Sequence, residues 1–545
     1  MEKLPDTNQR PASAPPVGAP SAPRRTFAII SHPDAGKTTL TEKMLLYGNA
    51  IEVAGNVRAR KNQRTTTSDW MAMERERGIS ISSTVLQFPY RGYVVNLLDT
   101  PGHQDFSEDT YRTLAAVDSA VMVLDAAKGI EPQTRKLFDV CRLRGIPIFT
   151  FINKMDRPAR HPLELLDEIQ TILGMEPIPM NWPIGDGSTF LGVYDREAQG
   201  AILFEKTERN EREALEKVVS LSELRQMEAM TEKRFAQLEE DVQLLDSLNI
   251  VFDHQRVLNE EQTPVYFGSA LTNFGVRQFL DGFVDSAPPP QPFPTKSGSV
   301  APDDPGFAGF VFKIQANMDP KHRDSVAFVR VCSGQFERDM SAVHAQSGKT
   351  VRLARPYRLF GGEREIVDRA YPGDIVGIPN NAGFAIGDTL YTETSIEFAP
   401  IARFSPEHFA TLRNKDIAKR KQFDKGVQQL ESEGAIQVLF DIHAFAREPI
   451  LAAVGPLQFE VVQSRLENEY GVVTILERLP HVLARWVSGP EDRMNALPNR
   501  QEVMLTRDIH GLLVAVFSSP FYLTYYTEQY PDLVFLDIAT TESSQ

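Results

Sequence analysis

Four mostly apolar runs alternate with amphipathic segments in the first part of the chain. They occupy residues 26–30, 94–98, 120–124 and 148–152. Continuous apolar runs, as opposed to runs that alternate with polar residues, are typical of parallel strands covered on both faces. The pattern therefore predicts a doubly wound α/β domain over residues 25–287.

A charged stretch from about residue 187 to 262 interrupts this domain and predicts a helical insert. Its apolar side chains recur at helical spacing in one stripe, formed by Phe235, Leu238, Val242 and Leu245. We favour packing of this stripe on the sheet domain. A surface for a partner protein is the alternative.

The pattern changes again after residue 287. A proline-rich run at residues 287–292 predicts a stiff linker over residues 288–306. Short apolar strands broken by Gly and Pro turns follow, among them residues 309–314 and 326–331. They predict a β-barrel domain over residues 307–400.

The last third of the chain predicts an α+β domain over residues 401–545. Residues Ile436, Val438, Phe440 and Ile442 alternate as in a half-buried strand. Pro456 stands where a helix should begin and Gly471 where it should end. A strand at residues 472–476 would follow that helix. The chain would then stop after this third domain.

Composition limits the class of protein. Residues 1–24 are rich in Pro, Ala and Ser and are expected to be disordered. No apolar run is long enough to cross a bilayer, and no signal-peptide core precedes the first strand. Two distant cysteines make no disulfide framework or metal cluster. We therefore expect a cytoplasmic, monomeric protein with no membrane partner.

The net charge of −15 argues against nucleic acid as a partner of the whole surface. Basic residues nevertheless cluster at residues 58–64 and again at Lys415, Lys419, Arg420 and Lys421. Such clusters are either solvated faces or contacts to RNA phosphates, and both interpretations stay open.

A phosphate-binding loop is predicted where the first strand ends. It consists of Ser31, His32, Pro33, Asp34, Ala35, Gly36, Lys37 and Thr38. Backbone N–H groups at the start of a helix face a bound anion, and Gly36 lets the backbone approach it. Lys37 would neutralise the β- and γ-phosphates, and the Thr38 hydroxyl would bind Mg²⁺. Ser31 replaces the usual first glycine of this motif.

A second motif follows another strand and consists of Asp99, Thr100, Pro101, Gly102 and His103. Asp99 would hold Mg²⁺, unless it is only a structural strand-end carboxylate. Gly102 would offer its N–H to the γ-phosphate and flip between nucleotide states. His103 is the predicted catalytic residue, as base or as positioner of the attacking water. In the charged segment before this motif, Ser80 would close over Mg²⁺.

The base-recognition motif comprises Asn153, Lys154, Met155 and Asp156, and a last motif comprises Ser269, Ala270 and Leu271. The Asp156 carboxylate would accept both guanine N1–H and the exocyclic amine, which adenine cannot offer as a pair. Asn153 would brace the pocket, and the Lys154 stem would cover the base. The last motif would supply a backbone N–H to the guanine oxygen. GTP or GDP with Mg²⁺ is therefore the predicted ligand.

Together with Arg77-Gly78-Ile79-Ser80, these motifs resemble the translational GTPases. Residues 455–461 are similar to the strand-to-helix turn of elongation factor G. Residues 68–71, 106–113 and 312–324 resemble bacterial class-II release factors within that family.

The resemblance implies a P-loop GTPase that binds the ribosome after peptide release. It would drive off the class-I release factor and leave after hydrolysing GTP. A translocation or assembly GTPase of the same family is one rival interpretation. A GTP-gated scaffold with negligible turnover is another, although His103 favours hydrolysis.

Overall fold

The computed structural model describes most of the chain. The described residues are 22–48, 74, 80–204, 216–248, 250–316, 325–360, 363–401, 405–444 and 448–537. Several predictions concern residues outside these ranges: the disorder of residues 1–21, the basic segment 58–64, the motif at 68–71, residues 77–79, and part of the motif at 312–324. The predicted disorder of residues 1–24 is wrong for its last three residues, since Ala22 is buried and Arg24 begins the first strand.

The first domain is built on a seven-stranded sheet. Its strands and those of the insert are β1 (Arg24–Ser31), β2 (Thr84–Tyr90), β3 (Tyr93–Asp99), β4 (Ser119–Asp125), β5 (Ile148–Asn153), β6 (Glu176–Pro179), β7 (Asn181–Ile184), β8 (Gly192–Asp195), β9 (Gly200–Phe204), β10 (Glu216–Val219) and β11 (Gln262–Phe267). The helices are α1 (Lys37–Tyr47), α2 (Ser107–Leu114), α3 (Pro132–Leu143), α4 (Pro162–Glu168), α5 (Leu221–Arg225), α6 (Glu232–Ser247), α7 (His254–Leu258) and α8 (Val276–Ser286).

The sheet order is β2-β3-β1-β4-β5-β11-β6, and all neighbours are parallel except β2 and β3. Ala28 and Ile30 of β1 point into one core, whereas Phe27 and Ile29 point into another. Both faces of the sheet are thus covered, which explains why its strands are continuously apolar. The predicted doubly wound α/β domain is confirmed.

The insert differs from the prediction, because its first half is a β-sheet. Strands β7 to β10 form an antiparallel sheet in the order β10-β9-β8-β7, and only then do α5 to α7 follow. The helical prediction missed the short strands β8 and β9, which a tight turn joins. The apolar stripe of α6 does pack on the domain core: Phe235, Leu238 and Leu245 are buried there and Val242 lies against it.

A second domain is an antiparallel β-structure. Its strands are β12 (Phe293–Thr295), β13 (Gly298–Val300), β14 (Ala308–Ala316), β15 (Ser325–Ser333), β16 (Phe336–Glu337), β17 (Ser341–His344), β18 (Lys349–Arg352), β19 (Tyr357–Phe360), β20 (Glu363–Ile366), β21 (Arg369–Ala370), β22 (Ile375–Pro379) and β23 (Thr389–Tyr391). Eight of these form one sheet in the order β18-β17-β23-β14-β15-β22-β19-β20. Side chains from distant strands of this order, such as Val351 and Val376, share one core, as in a curled, barrel-like sheet.

The predicted linker at 288–306 is more ordered than its proline content suggested, because it contains the β12–β13 hairpin. The ring of Phe293 lies 5.1 Å from the rings of both Phe310 and Phe398. These aromatic contacts anchor the segment to the second domain.

The third domain is an α+β layer structure. Its strands are β24 (His408–Asn414), β25 (Gln437–Asp441), β26 (Ile450–Ala453), β27 (Thr474–Arg478), β28 (Leu483–Ser488), β29 (Val503–Asp508), β30 (Leu513–Phe517) and β31 (Val534–Leu536), and its helices are α9 (Arg420–Ser432), α10 (Leu457–Tyr470), α11 (Glu491–Asn495) and α12 (Pro520–Gln529). The eight strands form one antiparallel sheet. Helix α10 follows Pro456 and ends at Gly471, whose φ is 67°, as predicted. Strand β27 begins at Thr474, two residues later than predicted. No helix in the described ranges is long and apolar enough to cross a membrane.

The first two domains are joined by buried ion pairs. Arg330 of β15 donates from Nη2 to both oxygens of Asp118, each at 2.8 Å, and both side chains are almost fully buried. Arg24 of β1 pairs in the same way with Asp374, at 3.3 Å. Neither pair involves a residue of the predicted nucleotide motifs.

Removing one partner of such a pair should destabilise the protein strongly. We expect Arg330→Met to lower the free energy of unfolding by about 3–5 kcal/mol, because the buried Asp118 carboxylate is left without its cation. The double change Arg330→Met with Asp118→Leu should recover most of the loss. Urea unfolding followed by tryptophan fluorescence measures both. If the single and the double variant were equally destabilised, the ion pair would not be the cause.

Candidate functional site

A cleft of about 760 Å³ lies where strands β1, β3 and β5 end. The predicted site residues that line it are Ser31, His32, Pro33, Asp34, Gly36, Lys37, Thr38, Ser80, Gly102, His103, Asn153, Lys154, Asp156 and Leu271. Segments far apart in sequence therefore meet at the carboxyl edge of one parallel sheet, the usual position of ligands in such folds.

The loop after β1 has the conformation of an anion cradle. Asp34 has a φ of 65° and Gly36 a φ of 98°, both in the left-handed region, and α1 begins at Lys37. A Cβ at Gly36 would overlap the Asn153 amide, so only glycine fits there. The Lys37 ammonium lies 3.1 Å from Asp99 Oδ1, and both side chains are buried. A cation and backbone N–H groups at a helix start thus face the same side of the cleft.

Asn153 braces the two ends of the cleft. Its Nδ2 donates to the carbonyl of Ala35 at 2.8 Å, and its Oδ1 accepts the N–H of Ala270 at 2.9 Å. One side chain therefore ties the predicted phosphate loop to the last motif. The Ala270 N–H is taken up by this bond, and of the last motif Leu271 lines the cleft, whereas Ser269 and Ala270 do not.

The Asp156 carboxylate is held by the last motif. Ser269 Oγ donates to Asp156 Oδ1 at 2.5 Å, so the carboxylate has a fixed direction before any base arrives. Met155, the remaining residue of the third motif, is buried in the domain core and does not line the cleft. The sequence motif therefore combines a predicted base-binding residue with a residue that packs in the core.

Lys154 has a partner that the sequence did not indicate. Its Nζ donates to Asp125 Oδ2 at 2.7 Å, and Asp125 also lines the cleft at the end of β4. Burial tends to raise the pKa of Asp125, but the hydrogen bonds from Lys154 and from the Ala127 N–H keep it below its ordinary value. The ion pair fixes the Lys154 stem along one wall. The sequence signal that could have indicated this partner is an acidic residue at the end of an apolar strand.

The oxygen donors of the cleft suit Mg²⁺. Thr38 and Ser80 line the cleft with their hydroxyls, and the buried Asp99 carboxylate pairs with Lys37, which also lines it. Hard oxygen ligands of this kind are those that Mg²⁺ prefers. Thr100 and Pro101 have structural roles instead. Thr100 Oγ1 donates to the Ile29 carbonyl, and the Pro101 carbonyl accepts a bond from Thr110.

His103 lines the cleft with its ring about one-third exposed. It begins a turn of 3-10 helix, and its Nδ1 lies 3.1 Å from Asp105 Oδ1 and 3.3 Å from the Asp105 backbone nitrogen. Nε2 is therefore the ring nitrogen available to a substrate. A Cβ at Gly102 would lie 3.6 Å from the Pro33 backbone, an ordinary contact. This conformation alone thus does not require glycine at position 102.

The segment after Ser80 is held from two domains. Glu74 Oε1 accepts the N–H groups of Ile81 and Ser82 at 3.0 and 3.2 Å. Lys313 of the second domain donates to Ser82 Oγ at 2.6 Å, to Ser83 Oγ at 2.9 Å and to the Ser83 carbonyl. Burial lowers the pKa of Lys313, and nearby carboxylates oppose that shift. Residues 81–83 thus connect the predicted Mg²⁺ ligand to the second domain.

Family models match each of the three domains. The elongation factor Tu GTP binding domain matches residues 22–289, elongation factor G domain 2 matches residues 306–393, and the C-terminal domain of class II release factor RF3 matches residues 398–527. Peptide chain release factor 3 of Gloeobacter violaceus is 57% identical over 97% of this chain and 99% of its own. The Nostoc punctiforme protein of that name is 56% identical over 96% of both chains.

A crystal structure of a Thermus thermophilus protein has the same fold, with a TM-score of 0.67 and 24% identity. The match covers 86% of this chain and 69% of that one. The sequence matches and the order of the three domains together identify the family of this chain. The chain belongs to the peptide chain release factor 3 family and is a GTP-binding GTPase of translation termination.

Proposed function

We propose that this GTPase acts on the ribosome after peptide release, where it promotes the dissociation and recycling of class-I release factors. One observation supports this function more than any other, because it links the nucleotide cleft to domain motion. The two segments predicted to respond to the γ-phosphate are bonded to the other two domains, since Lys313 holds the segment after Ser80 and the third domain contacts the segment after His103. A nucleotide-dependent change in either segment would therefore move a whole domain.

The residues of the cleft then have the following proposed roles. Lys37 and the loop N–H groups bind the β- and γ-phosphates, and Asp156 recognises guanine. Thr38, Ser80 and Asp99 would hold Mg²⁺, which neutralises charge on the phosphate oxygens when bound. His103 presents Nε2 to the attacking water, as base or as positioner.

Two assays test the proposal together. GTP hydrolysis should rise strongly when ribosomes are added, and labelled class-I release factor should leave terminated ribosomes faster when this protein and GTP are present. Stimulated hydrolysis without faster departure would point to the translocation or assembly rival. Absence of any stimulation would instead favour the GTP-gated scaffold.

An exposed basic turn offers a contact to ribosomal RNA. It joins β24 to α9, and Lys415 and Lys421 are exposed and make no ion pair with any residue that the structure describes. Lys419 and Arg420, by contrast, bond to Gly471 and Asp424. Ile417, which lies between Lys415 and Lys421 in the sequence, is 90% exposed. In a chain of net charge −15, two unpaired cations beside an exposed apolar side chain suit an RNA backbone.

Reversing these two charges should weaken ribosome binding and reduce its dependence on salt. For Lys415→Glu with Lys421→Glu, we expect the slope of log affinity against log salt to fall in magnitude by about 1–2, since up to two phosphate contacts are lost. Ribosome pelleting at several salt concentrations measures the slope. Lys136→Glu with Lys233→Glu, two other exposed positions, is the charge-matched control. An equal change in both variants would assign the effect to net charge and not to the turn.

A further inference from the structure

The segment 125–131 begins at the end of β4 and borders the cleft, which Asp125 and Lys128 both line. The Asp125 carboxylate pairs with Lys154 of the base-recognition motif at 2.7 Å. At the other end of the segment, Glu131 Oε1 lies 3.3 Å from Nε2 of the phosphate-loop histidine. The segment therefore contacts both parts of the cleft that are proposed to bind the nucleotide.

Glu168, the last residue of α4, holds this segment without lining the cleft itself. Its Oε1 accepts the N–H of Ile130 at 2.8 Å. Its Oε2 accepts a hydrogen bond from Arg160 Nη1, and the Arg160 backbone N–H donates to the Ala126 carbonyl at 3.0 Å. The segment is therefore fastened near both of its ends to the chain around the start and the end of α4.

The support is close because Gly129 has no side chain. A Cβ at Gly129 would lie 2.5 Å from Glu168 Oε2 and 2.6 Å from Arg160 Nη1. The ion pair thus packs directly against the backbone of the segment. Helix α4 is itself anchored, since Leu165 and Leu166 are buried in the domain core. Glu168 therefore offers the segment a fixed contact and not a mobile one.

We propose that Glu168 is a positioning residue that holds the segment 125–131 in place beside the nucleotide and so slows nucleotide release. Asp125 can orient Lys154 only while the backbone that carries it is fixed, because its other oxygen accepts a backbone N–H of the same segment at 2.9 Å. The inference rests on the nucleotide-binding roles proposed for Lys154 and the phosphate loop. It adds a residue outside the cleft that controls how long the nucleotide stays.

Glu168→Ala removes both acceptors but no atom that lines the cleft. We expect GDP to dissociate about tenfold faster, and the KM for GTP to rise, because two hydrogen bonds that position the segment are lost. Ribosome-stimulated kcat at saturating GTP should stay close to the parent value, since His103 is held by Asp105 instead. The preference for guanine should persist, because Asp156 keeps its bond from Ser269. Stopped-flow release of a fluorescent GDP analogue measures the dissociation rate.

Arg160→Met removes the other member of the ion pair. It should also accelerate GDP release, because Glu168 then holds the segment through one bond only. The double variant Arg160→Met with Glu168→Ala should release GDP little faster than the faster single variant, since both changes loosen one contact.

Glu168→Gln fills the same space and keeps an acceptor for the Ile130 N–H, so it tests the inference even if Glu168→Ala does not fold. It loses the charge that faces the guanidinium, and GDP should leave about threefold faster. Glu164→Ala is the matched control. Glu164 also pairs with Arg160, at 3.6 Å, but it is 62% exposed and, among the described residues, bonds to nothing in the segment 125–131. Its GDP release should match that of the parent protein.

The outcomes separate this inference from the proposed function. If Glu168→Ala, or Glu168→Gln where the alanine variant does not fold, releases GDP at the parent rate, the positioning role is wrong. Independent, additive effects of Glu168→Ala and Arg160→Met would also overturn it, as would a loss of saturating kcat as large as the gain in release rate. If ribosomes fail to stimulate the parent protein, the proposed function fails, whereas GDP release still decides the role of Glu168.

Discussion

His103→Ala is expected to bind GTP and GDP like the parent protein and to lose ribosome-stimulated hydrolysis by about 10²–10⁴-fold. The reason is its position: His103 lines the cleft with Nδ1 engaged by Asp105, which leaves Nε2 for the attacking water, while Lys37 and Asp156, the residues proposed to bind phosphate and base, pair with Asp99 and Ser269 instead. Single-turnover hydrolysis with saturating ribosomes measures the chemical step, and equilibrium titration with a fluorescent guanine nucleotide measures binding.

The control for this variant is the neighbouring residue. Gln104→Ala removes an exposed side chain from the same 3-10 turn and should leave the stimulated rate nearly unchanged. Near-normal turnover by His103→Ala would remove the histidine from the chemistry. Weakened nucleotide binding in the same variant would show that the imidazole shapes the cleft instead of acting on water.

Asp156→Asn is expected to change which base the protein binds. The carboxylate offers two acceptors to guanine, and the amide turns one of them into a donor that meets the guanine amine unfavourably. Xanthine carries an oxygen at that position and would accept this donor. We expect the ratio of GDP to xanthosine diphosphate affinities to fall by about 100-fold or more. Competition against a labelled nucleotide measures the ratio.

Ser269→Ala separates recognition from orientation. It removes the hydroxyl that donates to Asp156 Oδ1 at 2.5 Å but leaves the carboxylate in place. Affinity should weaken for both nucleotides, and guanine should remain preferred. Unchanged base selectivity in Asp156→Asn would place the base reader elsewhere.

Local patterns predicted the first domain well because each of its signals is confined to a few adjacent residues. Residues 120–124 of strand β4 are all apolar since both of its faces are covered, and helix α10 begins and ends at residues with fixed backbone preferences, Pro456 and Gly471. The predicted cleft residues came together for the same reason: the ends of parallel strands share one edge of a sheet. Short strands such as β8 carry too few residues to display a period, and the insert was mispredicted there.

Contacts between domains have no local pattern. Asp105 appears in sequence only as an acidic residue two positions after His103, and nothing near it indicates that its carboxylate accepts the N–H of Leu457 in the third domain. Lys313 stands in a mostly apolar, fully buried strand, and a buried lysine is rare, so its position there is a signal that could have pointed to a partner. Its actual partners lie 230 positions away. Such pairs depend on how finished domains dock, which one sequence does not reveal.

The large sequence separation between Lys313 and its partners has a consequence for the synthesis of the chain. Residues 82 and 83 leave the ribosome long before strand β14, so the first domain assembles while its ammonium partner does not yet exist. At about 5–20 residues per second, that interval lasts on the order of ten seconds or more. In the last part of that interval, once Asp156 and Ser269 have been made, the nascent domain would hold a phosphate loop and a base pocket, but the segment after Ser80 would still lack its bonds to Lys313. We therefore expect the newborn protein to bind nucleotide before it can convert binding into motion.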